Sequence, residues 1–258
     1  AVRGADWYAA YQEDIAWVLD EKVAMRPYEV YRLLDVETRT VNIHGGDRDS
    51  WKAPAGGWEG RGVWRDGGGG ALGCGQGDGD ASAAEVAKVA AQHGVTLDVV
   101  NRGLPGQLHW RTALRFEWDL IHEPAPDLAV FYEGAEEVEG AEVLDAKGLG
   151  DAKGPYEPFA DQLYDQIEQV PKTPDPPPGV SLPPTTVPDL DPSGVGRLAV
   201  TRYLRSLQLS DDTSEGFGVL VRHFWQPTRY TRPAAERTSA TTAPDDRRRT
   251  EGFAAAAG

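Results

Sequence analysis

The sequence has little cysteine, a shortage of basic side chains and no long apolar run. Cys74 is the only cysteine among 258 residues, which excludes a disulfide framework and a cysteine-based zinc cluster. One cysteine fits a reducing compartment, and we expect a cytoplasmic protein. No stretch approaches the ~18 consecutive apolar residues of a membrane-spanning helix, so we expect no membrane partner.

The charge of the chain is strongly acidic and unevenly distributed. Asp and Glu number 41 against 26 Lys and Arg, for a formal net charge of -15. Residues 181–258 hold 10 basic and 9 acidic groups, which leaves 16 basic and 32 acidic groups in residues 1–180. This balance argues against a protein that coats nucleic acid or an anionic membrane by bulk charge. We therefore expect the chemistry to lie in the acidic first two thirds.

Composition predicts a packed core interrupted by irregular stretches. Apolar residues make up 40% of the chain, and there are 30 glycines and 19 prolines. Changes in composition predict six segments: an N-terminal helical segment (1–43), a Gly/Trp-rich loop region (44–82), a core (83–170), a Pro-rich connector (171–192), a C-terminal helix and strand (193–226) and a flexible tail (227–258).

The spacing of apolar residues predicts both helices and strands. Helices are expected from about residue 5 to Pro27, and over 82–92, 156–170 and 195–209. Strands are expected over 95–100, 114–120, 128–132, 142–146 and 217–225, while 28–36 fits either type. The glycine run 67–70 is expected in a loop or tight turns, and no Gly-Lys-Ser/Thr follows it to make a phosphate-binding loop.

Ten carboxylates lie between Arg115 and Lys147, with no Lys or Arg among them. For residues 133–139 we expect a solvated hairpin tip, where exposure to water weakens the repulsion between like charges. The flanks suggest a site. In the second predicted strand, the period of two places Asp145 and Lys147 on one face, and a hairpin would bring Asp127 alongside. Oxygen ligands of this kind suit Mg²⁺ or Mn²⁺.

These residues resemble a known signature. Pro126-Asp127, followed after seventeen residues by Asp145-Ala146-Lys147, resembles the PD-(D/E)xK motif of restriction-endonuclease-like nucleases. Gln162-Leu163-Tyr164 is similar to the glutamine/tyrosine helix of several branches of that superfamily. The resemblance covers residues 114–170.

The resemblance implies an α/β fold with a mixed central sheet flanked by helices, here with long Gly-rich and Pro-rich loops. It also implies divalent-metal-dependent hydrolysis of phosphodiester bonds, with DNA as the expected substrate. Asp127 and Asp145 would bind the metal, Lys147 would be the catalytic lysine, and Gln162 would support it.

Further residues extend that hypothesis. The family has an earlier acidic residue, for which Glu85 and Glu117 both remain open, and Glu117 is the candidate third metal ligand. Lys153, in a second Asp-Ala-Lys-Gly copy, would contact phosphate. Three arginines of the near-neutral C-terminal part would contact the phosphate backbone: Arg197, Arg202 and Arg205.

Two other functions compete with the nuclease. One is a non-catalytic acidic structural or interaction protein. The other is a carbohydrate-active enzyme that uses Glu117 and Asp119 beside Trp110 and Trp118. The five histidines lack metal-binding spacing, and each is expected to be structural.

Overall fold

The structure is a computed structural model, which describes residues 6–26, 30–52, 61–73, 76–138 and 192–226. Its helices are α1 (Asp6–Glu21), α2 (Gly69–Leu72), α3 (Ser82–Gln92), α4 (His109–His122) and α5 (Pro192–Phe217). Its strands are β1 (Val23–Arg26), β2 (Val30–Leu33), β3 (Ile43–His44), β4 (Asp47–Arg48), β5 (Arg61–Gly67), β6 (Leu97–Asn101), β7 (Leu128–Glu133) and β8 (Leu220–Trp225). Within these ranges no helix has both the length and the apolar content needed to cross a membrane.

A six-stranded mixed sheet forms the centre of the molecule, in the order β3-β4-β6-β5-β7-β8. The four strands β6, β5, β7 and β8 run parallel, while β3 and β4 pair antiparallel at one end. Strands β1 and β2 form a separate antiparallel pair. The prediction of an α/β fold with a mixed central sheet flanked by helices is confirmed.

The predicted hairpin between residues 128–132 and 142–146 is wrong. Strand β7 pairs in parallel with β5 along one edge, from Leu128 to Tyr132. It pairs in parallel with β8 along the other edge, from Leu128 to Glu133. Because a strand has only two hydrogen-bonding edges, β7 has none left for a third strand. Residues 142–146 themselves lie outside the described residues.

Several segments have a different secondary structure from the one predicted. The helix expected up to Pro27 ends at Glu21, and Val23–Arg26 form strand β1. Residues 61–67, expected within a loop region, form β5, which pairs with β6 and β7. Residues 114–120, expected as a strand, lie within α4. The buried positions of α4 recur at helical spacing, but several are polar, so counting only apolar residues misses the period. These polar positions are His109, Arg111, Thr112, Arg115 and Asp119.

Helices cover both faces of the parallel sheet. Val63 and Trp64 are neighbours on β5 and therefore point to opposite faces. Trp64 packs with Phe116 of α4 and with residues of β7 and β8. Val63 packs with Ala83 and Ala87 of α3. We call these the α4 face and the α3 face.

A charged network is buried between α4 and the sheet. Arg102 forms ion pairs with Asp119 and Glu123, and its guanidinium carbon lies 3.7 Å from the centre of the Trp64 ring. Arg115 donates to Asp47 at 2.7 Å. These pairs compensate part of the cost of removing the charges from water.

Asp66 is the member of this region whose charge is least compensated. Its side chain is fully buried, and neither carboxyl oxygen has a hydrogen-bond partner in the part of the chain that the structure describes. Burial raises the pKa of Asp66 to about 7, although the charges of Arg102 and Arg115 oppose the increase. Asp66 is therefore largely protonated below neutral pH.

We expect Asp66→Asn to stabilise the protein at pH 8 and to stabilise it by a clearly smaller amount at pH 5. An acid with a raised pKa in the folded state contributes stability that is complete below its unfolded pKa of 3.8. That stability declines as the pH rises towards 7. Asn cannot ionise, so the gain at pH 8 should be about 2–4 kcal/mol. The free energy of unfolding, measured in urea at both pH values, checks this.

The matched control is Asp212→Asn, which changes an exposed residue of α5. It should leave the pH dependence of the free energy of unfolding as it is in the unchanged protein. Equal effects of the two substitutions at pH 8 would show that Asp66 carries no burial penalty.

Candidate functional site

The order of the strands places a topological switch point at the carboxyl ends of β5 and β7. From β5 the chain continues to β6 on one side, and from β6 it returns to β7 on the other side. The loops that follow β5 and β7 therefore separate, which is the place where open α/β sheets bind ligands. We call this place the switch-point crevice, formed by residues 67–70 and 133–137.

The glycine run on the β5 side allows very close packing against the β7 side. Gly67 has a φ of +135°, and a Cβ there would lie 2.3 Å from the carbonyl oxygen of Tyr132. A Cβ on Gly68 would lie 2.2 Å from the carboxyl carbon of Glu136. The Glu136 Oε1 atom accepts the backbone N–H of Gly69 at 2.5 Å. Only glycine at these positions lets a carboxylate reach the backbone of this turn.

A buried histidine lies below the crevice, between β7 and α5. Nδ1 of His109 contacts Glu133, and Nε2 lies 3.1 Å from the hydroxyl of Ser210. His109 and Ser210 have no exposed surface, and Glu133 is 1% exposed. Burial alone would lower the pKa of His109, but the carboxylate of Glu133 raises it above 6.5. The result is a buried imidazolium–carboxylate pair.

The Ser210-His109-Glu133 contacts have the order of a nucleophile triad but not its hydrogen bonding. Ser210 donates its hydroxyl hydrogen to the carbonyl of Leu207 at 2.8 Å. The hydroxyl oxygen can then only accept a hydrogen bond from the imidazolium. A nucleophilic serine instead donates its hydrogen to the imidazole. This trio therefore positions α5 against β7 and does not activate a nucleophile.

Glu137 supplies the crevice with a proton at neutral pH. Its carboxyl group is 5% exposed and accepts the backbone N–H of His109. Burial raises the pKa of Glu137 to about 8, and the charges of Glu133 and Glu136 add to the increase. A protonated carboxyl group and a neighbouring carboxylate can act as acid and base in one reaction.

The predicted solvated tip at residues 133–139 is therefore wrong for three of its carboxylates. Glu133, Glu136 and Glu137 are 1%, 9% and 5% exposed. The Glu136 carboxylate makes the crevice a poor place for a phosphodiester, since like charges repel strongly where water is excluded.

Of the predicted catalytic and metal-binding residues, Asp127 and Glu117 lie in the described part of the chain. Asp127 is exposed at the amino end of β7, where its carboxylate accepts the N–H of Gly62 at 2.9 Å. That is the opposite end of the strand from the crevice. Glu117 is half-buried on α4. Asp145, Lys147, Lys153 and Gln162 lie outside the described residues, so their roles stay predictions.

The predicted phosphate-binding arginines all lie on α5. Arg197 and Arg205 are exposed, whereas Arg202 is half-buried. No contact of these side chains shows a role in binding phosphate, and that role stays a prediction. In the ranges that the structure describes, no group of three or more His, Cys, Asp or Glu side chains is placed to hold a metal ion.

Sequence reasoning missed the crevice because its signal is split along the chain. The glycine run follows β5, whose strand pattern is interrupted by Arg65 and Asp66. Glu136 and Glu137 are separated from that run by more than sixty residues. Recognition of β5 and β7 as neighbouring parallel strands would have brought the two parts together.

Comparison with known proteins gives no family. No protein-family model matches the chain, and no curated protein matches it. Among the solved structures that match are three of the esterase AlinE4, one described as an SGNH-hydrolase family esterase and two as point mutants of the esterase. Each of the three is 17% identical to this chain, with a TM-score of 0.31. The matched region covers 64% of this chain and 76% of the esterase chain.

The nuclease hypothesis is corrected on these findings. The solved structures named above are esterases, and they give no support to the resemblance to PD-(D/E)xK nucleases. The two parallel neighbours of β7 exclude the strand hairpin on which that hypothesis depended. Because a TM-score of 0.31 assigns no function, the function has to be inferred from the site itself.

We expect Glu133→Gln to be more destabilising alone than together with His109→Phe. Glu133→Gln leaves a buried imidazolium without its counter-ion, at a cost of about 3–5 kcal/mol. Phe at 109 removes the charge that needs the partner. Urea unfolding of the single variants and the double variant measures this coupling, and strictly additive effects would contradict a buried ion pair.

The same pair predicts a pH dependence. The pKa of His109 is raised in the folded state, so the stability from the pair is complete below the unfolded value of 6.5. It is lost as the pH rises through the folded pKa. The variant with both Glu133→Gln and His109→Phe should not lose this stability as the pH rises.

Proposed function

We propose that the protein is a hydrolase that cleaves an uncharged carboxylic ester at the switch-point crevice, with Glu136 as the base and Glu137 as the acid. The observation that carries the proposal is the contact of the buried Glu136 carboxylate with the N–H of Gly69, beside the buried Glu137, whose pKa burial raises to about 8. A carboxylate and a protonated carboxyl group can activate water and protonate a leaving group.

The reaction needs three groups of the crevice. The carbonyl oxygen of the ester would accept the Gly69 N–H, replacing Glu136, and the developing oxyanion would be stabilised there. Glu136 would take a proton from the attacking water. Glu137 would give its proton to the alkoxide as the bond between the carbonyl carbon and the ester oxygen breaks. Transfer of the proton from Glu136 to Glu137 then restores the starting state, and no step requires a metal.

The substrate class follows from charge. The Glu136 carboxylate lies in the crevice, so an anionic substrate would be repelled, whereas a neutral ester would not. An acid with a pKa of about 8 is also suited to protonating an alkoxide at neutral pH.

Hydrolysis of p-nitrophenyl acetate and of an aliphatic ester, with and without EDTA, tests the proposal. Glu136→Gln and Glu137→Gln should each lower kcat by about 10²–10⁴-fold on the aliphatic ester. Glu137→Gln should have a smaller effect on the nitrophenyl ester, because nitrophenolate leaves without a proton. Activity of the unchanged protein should fall as the pH rises through about 8, the pKa of Glu137.

The matched control is Glu215→Gln, an exposed residue of α5, which should retain full activity. Full activity of both crevice variants, or complete inhibition by EDTA, would exclude the mechanism.

The contact between Glu136 and Gly69 also favours a second function, that of a non-catalytic binding domain. Glu136 occupies the N–H of Gly69, as an internal anion would in a non-catalytic binding domain. Absence of ester hydrolysis by the unchanged protein, together with ligand-induced stabilisation, would support this function instead.

A further inference from the structure

Arg65 is a buried cation without a counter-ion among the residues that the structure describes. The residue is 5% exposed, and its Nη1 atom is buried with no hydrogen-bond partner. No carboxylate of the described residues forms an ion pair with it. Other buried arginines are compensated: Arg48 donates to Asp78 at 2.8 Å, and Arg102 pairs with Asp119. An isolated buried guanidinium is costly, so the position favours an external anion.

The immediate neighbours of Arg65 on its sheet face are uncharged, and its register partner on β6 is the buried Asn101. Arg65 shares the α3 face with Val63, two residues before it on β5. Its guanidinium carbon lies 4.8 Å from the centre of the Tyr132 ring. Burial lowers the pKa of Arg65 to about 10, so the group remains charged at neutral pH.

The α3 face becomes more exposed towards β8. Arg65 is in register with Val130 of β7, and Val130 is in register with Arg222 of β8. Tyr132 is half-buried, and Phe224, its register partner on β8, is 52% exposed. Exposure therefore rises from the centre of the sheet towards β8.

The outer strand adds an apolar surface and a second cation. Leu220 and Phe224 are 54% and 52% exposed, and Arg222 lies between them at the strand period of two. Arg222 is exposed, and its Nη1 donates to the carbonyl of Val221 at 2.7 Å, a bond that water can replace. An exposed apolar strip beside cationic groups suits a ligand with an anionic head and an apolar tail.

We propose that the α3 face of β5, β7 and β8 binds an amphipathic carboxylate, with its head at Arg65 and its apolar chain on Leu220 and Phe224. The guanidinium fork matches a planar carboxylate, which it can bind through two hydrogen bonds. A single charge on the ligand balances the single buried cation, whereas a phosphate dianion would leave excess charge in an apolar place. The site is separate from the switch-point crevice and does not depend on ester hydrolysis.

Calorimetric titration with octanoate tests the site, with octanamide as the neutral probe of the same length. Octanoate should bind the unchanged protein, and octanamide should bind at least about tenfold more weakly. Arg65→Met keeps an apolar side chain of similar length and should weaken octanoate by at least about tenfold. Arg222→Gln should have a smaller effect, about threefold, because that charge is exposed to water.

Two controls separate binding at Arg65 from binding elsewhere on the protein. Arg197→Gln changes an exposed arginine of α5 and should bind octanoate as the unchanged protein does. Glu137→Gln should also bind octanoate normally, so loss of hydrolysis and loss of carboxylate binding are distinguishable. Any of three results would overturn the proposal. They are octanoate binding to Arg65→Met as tightly as to the unchanged protein, octanamide binding as tightly as octanoate, or competition by inorganic phosphate at the same concentration.

Stability without ligand gives an independent measurement. Because Arg65 is unpaired among the described residues, Arg65→Met should melt at the same temperature as the unchanged protein or a higher one. Octanoate should then raise the melting temperature of the unchanged protein and not that of Arg65→Met. A large decrease on substitution would show that Arg65 is held by internal partners, and would overturn the proposal.

Discussion

The removal of ionised side chains from water is the constraint on which this structure depends. An ion inside a protein costs several kcal/mol unless a partner compensates it or its proton balance changes. The sheet uses both solutions. Arg102 is paired with Asp119, and His109 with Glu133. Asp66 and Glu137, where burial exceeds the compensation, have raised pKa values instead.

The same constraint gives the switch-point crevice its chemistry. The parallel order of the strands makes the loops after β5 and β7 diverge, and the glycines at 67 and 68 allow the backbone and the Glu136 carboxylate to approach closely. Glu133 is committed to His109, so its negative charge is fixed close to Glu137. That fixed charge, added to burial, keeps a proton on Glu137. The acid of the proposed reaction is therefore a consequence of a structural ion pair that itself takes no part in the chemistry.

The hydrophobic pattern of the sequence predicts the elements in which it is regular and fails where burial includes charge. Helix α3 and strand β7 have simple apolar patterns, and the predicted bounds of both agree with the structure within a residue or two. Helix α4 buries Arg115 and Asp119 on its packed face, which hides its period. Strand β5 contains Arg65 and Asp66, so its pattern resembles that of a loop. The candidate site could not be predicted for the same reason: its acids were expected in water, and only the pairing of β7 on both edges shows why they are buried.

The two proposed sites have opposite charge, and this difference would favour the substrate at one site and the product at the other. Hydrolysis of an ester converts a neutral molecule into an acid, which ionises at neutral pH. In the crevice that product would lie against Glu136 and Glu133, and repulsion in a poorly hydrated place would favour its release. On the α3 face, the same carboxylate would meet Arg65, a cation without a counter-ion among the described residues. Tyr132 lies between Arg65 and the end of the sheet that carries the crevice. Arg65 would add no electrostatic attraction for a neutral substrate, and the crevice would add none for an anionic product. Burial of unlike charges on two sides of one sheet would thus separate substrate from product by charge alone.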